Sequence, residues 1–306
     1  MKIAIIGRSE LLFASIEQLS DANHEIVCII TSKAAPEYSK TETDFQELAA
    51  KINVPFAITT DIMSKYDMLV DSEAEVAVSV NFSAIIPKLI TDLFPLGILN
   101  AHGGDLPRYR GNACQAWAIL NGEERIGLCI HRMVGGELDN GDIIERDFFD
   151  IGHNTKVTAV WTWMQKRIPE LYVNAISKLL KDPGYVLEVQ SKNPDDALRC
   201  YPRIPDDGKI DWSLDALDIL RLINASNAPY AGAFCYLNNK KIIIWDAEIV
   251  PQECEFLARP GQITLIDAGV VHVACGTRIL GIIMIESDGI ICQPDSIIKS
   301  MRFRLK

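Results

Sequence analysis

The sequence predicts an α/β fold: a doubly wound parallel-sheet domain followed by a smaller antiparallel, β-barrel-like C-terminal domain. Three observations carry that prediction. Through the first part of the 306 residues, short apolar runs alternate with stretches of helical periodicity. This is the Rossmann-like order, which builds a parallel sheet with helices on its faces. Beyond about residue 210 the pattern changes to strand-like runs broken by short turns rich in Asn, Asp and Gly, the signature of antiparallel hairpins. Between the two, residues 191–209 hold three prolines and a cluster of charges, the composition of a linker. The expected organisation is a first domain over 1–190, a linker over 191–209 and a β-rich domain over 210–306.

Taken in order, Lys2 to Ile6 is a short apolar run that reads as a first strand, turning at Gly7-Arg8-Ser9 into a helix over about Glu10 to Leu19. His24 to Thr31 reads as a second strand. Thr43-x-x-Gln46 reads as a capping box opening a helix. Strands follow near Pro55 to Ile58 and Glu75 to Val80, and Ser79 to Pro87 leaves the last of these for a helix beginning near Ile86. Gly97 to Leu99 is the end of a buried strand. A helix follows at about Ala113 to Asn121, whose apolar face (Ala113, Ala116, Trp117, Leu120) reads as core packing. Leu128 to Val134 is another strand, and a long helix over Thr155 to Leu180 closes the first domain. After a short helix around Leu214 to Ile223, turns at Asn238-Asn239, Asp267-Ala268-Gly269 and Asp288-Gly289 punctuate the β-rich end.

Composition narrows the function classes. Hydrophobic content of 48% with 23% charged residues is that of a globular chain and excludes a disordered one. The net charge is −11, with most of the acidic excess in residues 1–200, which argues against a nucleic-acid partner. No apolar run approaches the ~18 to 20 residues needed to cross a bilayer, and the opening residues show no signal-peptide cleavage pattern. A cytoplasmic protein with no membrane partner is expected. The eight cysteines are scattered singly without a CxxC pair, and the five histidines do not cluster with them. Buried, reduced thiols and no metal are therefore expected. A dinucleotide site fails because only Gly7 stands where Gly-x-Gly-x-x-Gly would be needed. The amides of Gly7, Arg8 and Ser9 at a helix start can still favour an anion, although Arg8 reads equally well as a solvated loop residue.

Chemistry concentrates between Gly97 and Ile144. Asn100 and His102 stand two apart at a strand end, which puts both side chains on one side. Paired glycines, Pro107 and Arg110-Gly111 follow, a loop composition that lets a ligand approach the backbone. Asp139 lies one strand–helix–strand unit later. In a parallel sheet that crossover brings both loops to the same edge. A carboxylate against an imidazole fixes its tautomer and suits it to proton transfer at neutral pH, and the amide can donate to an oxyanion. The set offers acyl-transfer chemistry without a Ser or Cys nucleophile. His131, in the strand two residues after Cys129, reads as a hydrogen-bonded structural residue.

Asn100-x-His102, then Leu106-Pro107-x-x-Arg110-Gly111, then Leu138-Asp139-x-Gly141-Asp142, resembles the signature of the folate-dependent formyltransferases. The opening MKIAIIG, the segment SVNFSAIIPKLI and the later IDWSLDA, NAPYAGAFCYL and KKIIIWDAEIV resemble the two-domain members, which include methionyl-tRNA formyltransferase and the nucleotide-sugar N-formyltransferases. The resemblance implies that residues 1–190 are the catalytic domain, with Asn100, His102 and Asp139 as catalytic residues. It implies 10-formyltetrahydrofolate as co-substrate, held by Ser83, Ala84, Ile85, Ile86, Gly135, Glu137 and Leu138, largely through backbone. It implies substrate contacts from Gly7, Arg8, Ser9, Arg110 and Tyr230. The tRNA enzymes resemble one another in a long basic insertion after the second strand, where this chain has the short, mixed-charge residues 32–53. The implied acceptor is then the amine of a nucleotide-linked amino sugar, as used in surface polysaccharide (lipopolysaccharide O-antigen) biosynthesis. The alternatives are a methionyl-tRNA formyltransferase, a 10-formyltetrahydrofolate hydrolase and a non-catalytic folate or nucleotide binding module. One departure stands out: many relatives carry His-x-Ser-Leu-Leu-Pro where this chain has His102-Gly103-Gly104-Asp105-Leu106-Pro107. The apolar C-terminal strands could also build a homodimer interface.

Overall fold

The computed structural model describes residues 1–251 and 256–306; Cys254 lies outside the described residues. Two compact units form. One gathers residues 1–114, 126–149 and 161–201, the other residues 115–125, 150–160 and 202–306.

The first unit begins β1 (Lys2–Gly7), α1 (Glu10–Asp21), β2 (Glu25–Thr31), α2 (Glu42–Ile52), β3 (Phe56–Ile58), α3 (Tyr66–Asp71), β4 (Val76–Val80), α4 (Lys88–Thr91) and β5 (Ile98–His102). It continues through β6 (Tyr109–Gly111), β7 (Arg125–Arg132), β8 (Ile143–Asp150), α6 (Val157–Lys181) and β9 (Leu198–Cys200), while α5 (Cys114–Leu120) counts, all but its first residue, with the second unit. Seven of these strands make one sheet in the order β3-β2-β1-β4-β5-β7-β8. β1 pairs in parallel with β2 and β4, and β4 with β5. Ile3 to Ile6 and the whole of β4 are buried, as expected of strands covered on both faces. The turn after β1 needs glycine. A Cβ on Gly7 would stand 2.2 Å from the Val80 carbonyl oxygen.

Two local expectations are corrected. The cap of α2 is at Thr41 rather than Thr43: the Asp44 carboxylate accepts from the Thr41 amide at 2.8 Å and from its hydroxyl at 3.0 Å. The shorter Asp, also paired with Lys40 at 2.9 Å, closes the box two residues earlier than the Thr43–Gln46 spacing suggested. The larger correction concerns β5 and β7, which are antiparallel, with Asn100 opposite His131 and His102 opposite Cys129. A parallel return needs a crossover that traverses the sheet. The seven-residue α5, ~10 Å long at helical rise, does not provide it, so β7 starts at the end where β5 stops. The proline-rich segment after residue 191 also contributes β9, which pairs in parallel with β6.

The second unit carries α7 (Ala216–Ala225), β10 (Ala233–Leu237), β11 (Lys240–Val250), β12 (Ile263–Asp267), β13 (Val270–Ala274), β14 (Ile279–Ser287) and β15 (Ile290–Cys292). The sheet runs β10-β11-β14-β13-β12, with β15 paired to β14. All three anticipated turns have successive left-handed residues: Asn238 and Asn239, Ala268 and Gly269, Asp288 and Gly289. That conformation matches the strand twist of tight hairpins. Trp212, Leu220, Ile223, Ile244, Val273 and Ile282 lie in its core. The last residues touch both ends of the sheet path, Leu305 bridging Leu237 and Arg304 bridging Gln262, which gives the unit its barrel-like closure. Leu305 is buried. Truncation to Ala is expected to cost roughly 2–5 kcal/mol, read as a lowered urea midpoint.

Candidate active site

The site is assembled over one face of the β5–β7 pair. Asn100 and His102 alternate correctly to share that face, and the antiparallel register sets His131 directly across from Asn100. The loop between β7 and β8 then folds back so that Asp139, in the left-handed region at φ 47°, reaches both rings. Its Oδ2 lies 3.5 Å from His102 Nδ1 and its Oδ1 lies 3.5 Å from His131 Nε2. The Gly111 amide donates to Oδ2 at 2.9 Å, and Gln190 Nε2 holds the Asp139 carbonyl at 3.1 Å. The three groups expected to converge do so, at a strand face rather than at a shared parallel edge.

All three are buried, with His102 at 6% and Asp139 at 8% exposure, so charge there is unscreened by water. Burial works against ionisation of Asp139. The His102 and His131 rings and the Gly111 amide more than offset it, holding the carboxyl well below the usual carboxylate range. In the unfolded chain such a group titrates near about 3.9. Because the folded value is depressed, its stabilising contribution is complete above that pH and is lost as pH falls through the folded value. Stability measured by urea unfolding is expected to decline below about pH 4, and Asp139→Asn to flatten that decline.

His102 Nε2 lies 2.7 Å from the Tyr109 carbonyl oxygen, so this nitrogen carries the hydrogen while Nδ1 faces Asp139. Gly104 makes the arrangement sterically possible: a Cβ there would be 2.6 Å from both His102 Nε2 and the Tyr109 oxygen. The residues that replace the relatives' His-x-Ser-Leu-Leu-Pro pattern are held from β8. Arg146 pairs with Asp105 at 2.6 Å and donates to the Leu106 carbonyl at 2.6 Å. Sequence reading also missed Tyr172 of α6, fully buried, whose hydroxyl accepts from the Ala101 amide at 2.9 Å and donates to the Ser79 carbonyl at 2.6 Å. Tyr172→Phe should leave both backbone groups unpaired and cost about 1–3 kcal/mol, measured by chemical denaturation.

The two loops expected to hold folate are joined. Gly136 donates to the Ile86 carbonyl at 2.9 Å, and a Cβ on Gly135 would meet Lys88 Cα at 2.3 Å. Ile85, Leu89 and Val134 are exposed around that junction at 58%, 54% and 38%. Ser83 donates to the Ser32 hydroxyl at 2.9 Å, and the Glu137 carboxylate accepts from Asn140. Ala84 and Leu138 are half-buried.

The expected substrate residues are dispersed and mostly engaged. Arg8 donates to the Asn81 and Lys33 carbonyls at 2.9 and 2.6 Å and packs over the Tyr38 ring. Gly7 faces Val80, and the Ser9 hydroxyl is buried without a partner among the described residues. Arg110 donates to Gln190 and to the Ser191 carbonyl, each at 3.1 Å. Tyr230 belongs to the second unit, where its hydroxyl accepts from Gln115 at 3.0 Å. The described cysteines form no disulfide. Seven are described and all are free; burial pushes the Cys129 thiol up to about 11, and a hydrogen bond to Cys200 together with burial pushes Cys114 up as well. Among the described residues no His, Cys, Asp and Glu group is arranged to hold a metal ion, and no helix is long and apolar enough to cross a membrane.

The described residues thus hold a mixed α/β unit carrying a buried amide–imidazole–carboxylate cluster, followed in sequence by an antiparallel unit. The chain belongs to the formyl transferase family: residues 1–176 match the family's formyl transferase model and residues 204–302 match that of its C-terminal domain. Among solved structures, WlaRD, a sugar 3N-formyl transferase solved with dTDP and 5-N-formyl-THF, is similar at 18% identity and TM-score 0.67, over 92% of this chain and 97% of that one. An N-formyltransferase from Helicobacter canadensis, in complex with folinic acid and dTDP-3-aminofucose, is similar at 17% identity and TM-score 0.67, over 92% and 99%. HypX from Aquifex aeolicus, solved with tetrahydrofolic acid, is similar at 16% identity and TM-score 0.63 over 98% of this chain and 47% of HypX. The chain thus spans about half the length of HypX, and at these identities the likeness is one of fold.

Proposed function

We propose that the chain moves a formyl group from 10-formyltetrahydrofolate to the primary amine of a nucleotide-linked amino sugar, in surface polysaccharide synthesis. The observation that carries the reading is the meeting of Asn100, His102 and Asp139 within one buried cluster. The residues beside it fit a folate. Ser83 to Ile86 with Gly135, Glu137 and Leu138 offer backbone groups, exposed apolar side chains and a carboxylate, which suit a flat ring with amide-like edges. When bound, that co-substrate supplies a formyl carbonyl whose oxygen gains negative charge as the amine nitrogen adds to its carbon.

The chain's own residues then act as follows. The Asn100 amide donates to the charged oxygen. The Tyr109 carbonyl holds the hydrogen of His102 on Nε2, which leaves the Nδ1 lone pair, beside Asp139, to take the proton shed by the amine. From there a proton passes to the departing folate nitrogen. One carbon–nitrogen bond forms and one breaks, giving an N-formyl sugar and tetrahydrofolate. The amine must arrive unprotonated, since its lone pair makes the new bond. The acidic balance of the chain, net −11, supports a small acceptor over a tRNA, and the dTDP in the WlaRD structure and the dTDP-3-aminofucose in that of the Helicobacter protein point the same way.

The test is tetrahydrofolate release with thymidine-, uridine- and guanosine-diphosphate amino sugars as acceptors, beside charged initiator tRNA and a reaction without acceptor. Release with an amino-sugar nucleotide alone is expected. Release only with tRNA, or equal release with no amine present, would replace this reading by a tRNA formyltransferase or a hydrolase.

A further inference from the structure

His131 is assigned no part in the chemistry above, yet its ring lies inside the cluster. It is 1% exposed, too enclosed to meet a substrate. Its Nε2 has two neighbours, the Asn100 carboxamide at 3.0 Å and Asp139 Oδ1 at 3.5 Å. Its Nδ1 is buried with no partner among the described residues. The carboxamide is placed with Nδ2 toward the ring, and among the described residues nothing bonds Oδ1.

Those neighbours decide the tautomer. With hydrogen on Nδ1, a buried N–H would lack any acceptor while the bare Nε2 lone pair faced an ionised carboxylate, two penalties at once. With hydrogen on Nε2, the ring points its donor toward Asp139 Oδ1 and the Asn100 carboxamide and leaves only an unpaired acceptor behind. Asp139, held ionised by its surroundings, adds to the preference. A carboxamide has nearly the same shape with its ends exchanged, so the partner settles which end faces it. An Nε2–H calls for oxygen.

We propose that His131 is a positioning residue: its Nε2–H holds Asn100 Oδ1 and thereby turns Nδ2, with both its hydrogens, toward the reacting carbonyl. The inference rests on the reading of Asn100 as an oxyanion donor. Asp139 then faces two rings, His102 Nδ1 with one oxygen and His131 Nε2 with the other. The antiparallel register is what allows this, since it alone sets Asn100 opposite His131.

Long-range proton–nitrogen NMR on the full chain with labelled histidine, assigned by the signals lost in His131→Gln, reads the tautomer directly. A protonated Nε2 and bare Nδ1 are expected; the reverse would overturn the proposal whatever the activity. In the kinetic arm, with the amino-sugar nucleotide found by the screen above, His131→Leu should lower kcat about 10²-fold with the KM for 10-formyltetrahydrofolate unchanged. His131→Gln, whose terminal amide puts a donor near Nε2, should recover most of the loss. Wild-type kcat in His131→Leu, or equal losses in both variants, would refute positioning. Should the Leu variant not fold, the tautomer and the Gln variant decide. Normal turnover in Asn100→Ala would instead sink the underlying reading, while the tautomer result would stand by itself.

Discussion

Replacing Asn100, His102 or Asp139 by alanine is expected to lower kcat by about 10²- to 10³-fold or more for each, the largest effects in this protein. In the proposed mechanism Asn100 donates to charge that exists only as the formyl oxygen becomes anionic, and His102 with Asp139 moves the amine's proton, so each loss raises the barrier and leaves ground-state folate binding little changed. Asp139 differs from the others because its carboxylate also accepts from the Gly111 amide and sits against two rings. Asp139→Ala therefore unpairs buried groups as well, and Asp139→Asn is the cleaner variant, keeping shape while removing charge. Tetrahydrofolate release gives the rates, and circular dichroism and thermal unfolding establish that each variant is folded. Near-normal turnover in all three would dismiss the mechanism.

Gly104→Ala should come close to the same loss through geometry alone. The added Cβ would stand 2.6 Å from His102 Nε2 and from the Tyr109 oxygen, and 3.0 Å from Cys114 Cβ. The last two belong to a buried strand end and a helix start, so the imidazole is the group that moves, losing the carbonyl that fixes its hydrogen. Overpacking of this kind costs roughly 1–3 kcal/mol, a modest fall in melting temperature beside a large fall in kcat. A Gly103→Ala variant, one position away on the same loop, serves as control. Equal and full activity in both would mean that the His102–Tyr109 contact is dispensable.

Much of this fold is written in local pattern. The buried run of β1 and the residue after it that tolerates no Cβ, the long amphipathic α6, and the three turns of the second unit follow from periodicity and from residues suited to left-handed backbone. Asn100 and His102 could be paired because alternation along one strand is a local rule. Asp139 was placed with them on the correct expectation that two loops converge, though by the wrong route. A crossover was assumed where α5 is too short to make one. The role of Tyr172 was hidden for a similar reason, since nothing in a helix of that length marks which buried hydroxyl will find the two backbone groups of β4 and β5.

What the sequence determines by itself is a set of candidate groups, an amide, an imidazole and a carboxylate set among glycines, in a chain whose strand and helix periods specify an α/β unit and then an antiparallel one. What only tertiary structure decides is which atoms face which. The sense of β7 brings His131 across from Asn100, the Tyr109 carbonyl chooses the hydrogen on His102, and the left-handed turn at Asp139 divides its two oxygens between two rings. Hydrogen bonds depend on distance and direction between groups far apart in the chain, and periodicity along a sequence carries neither.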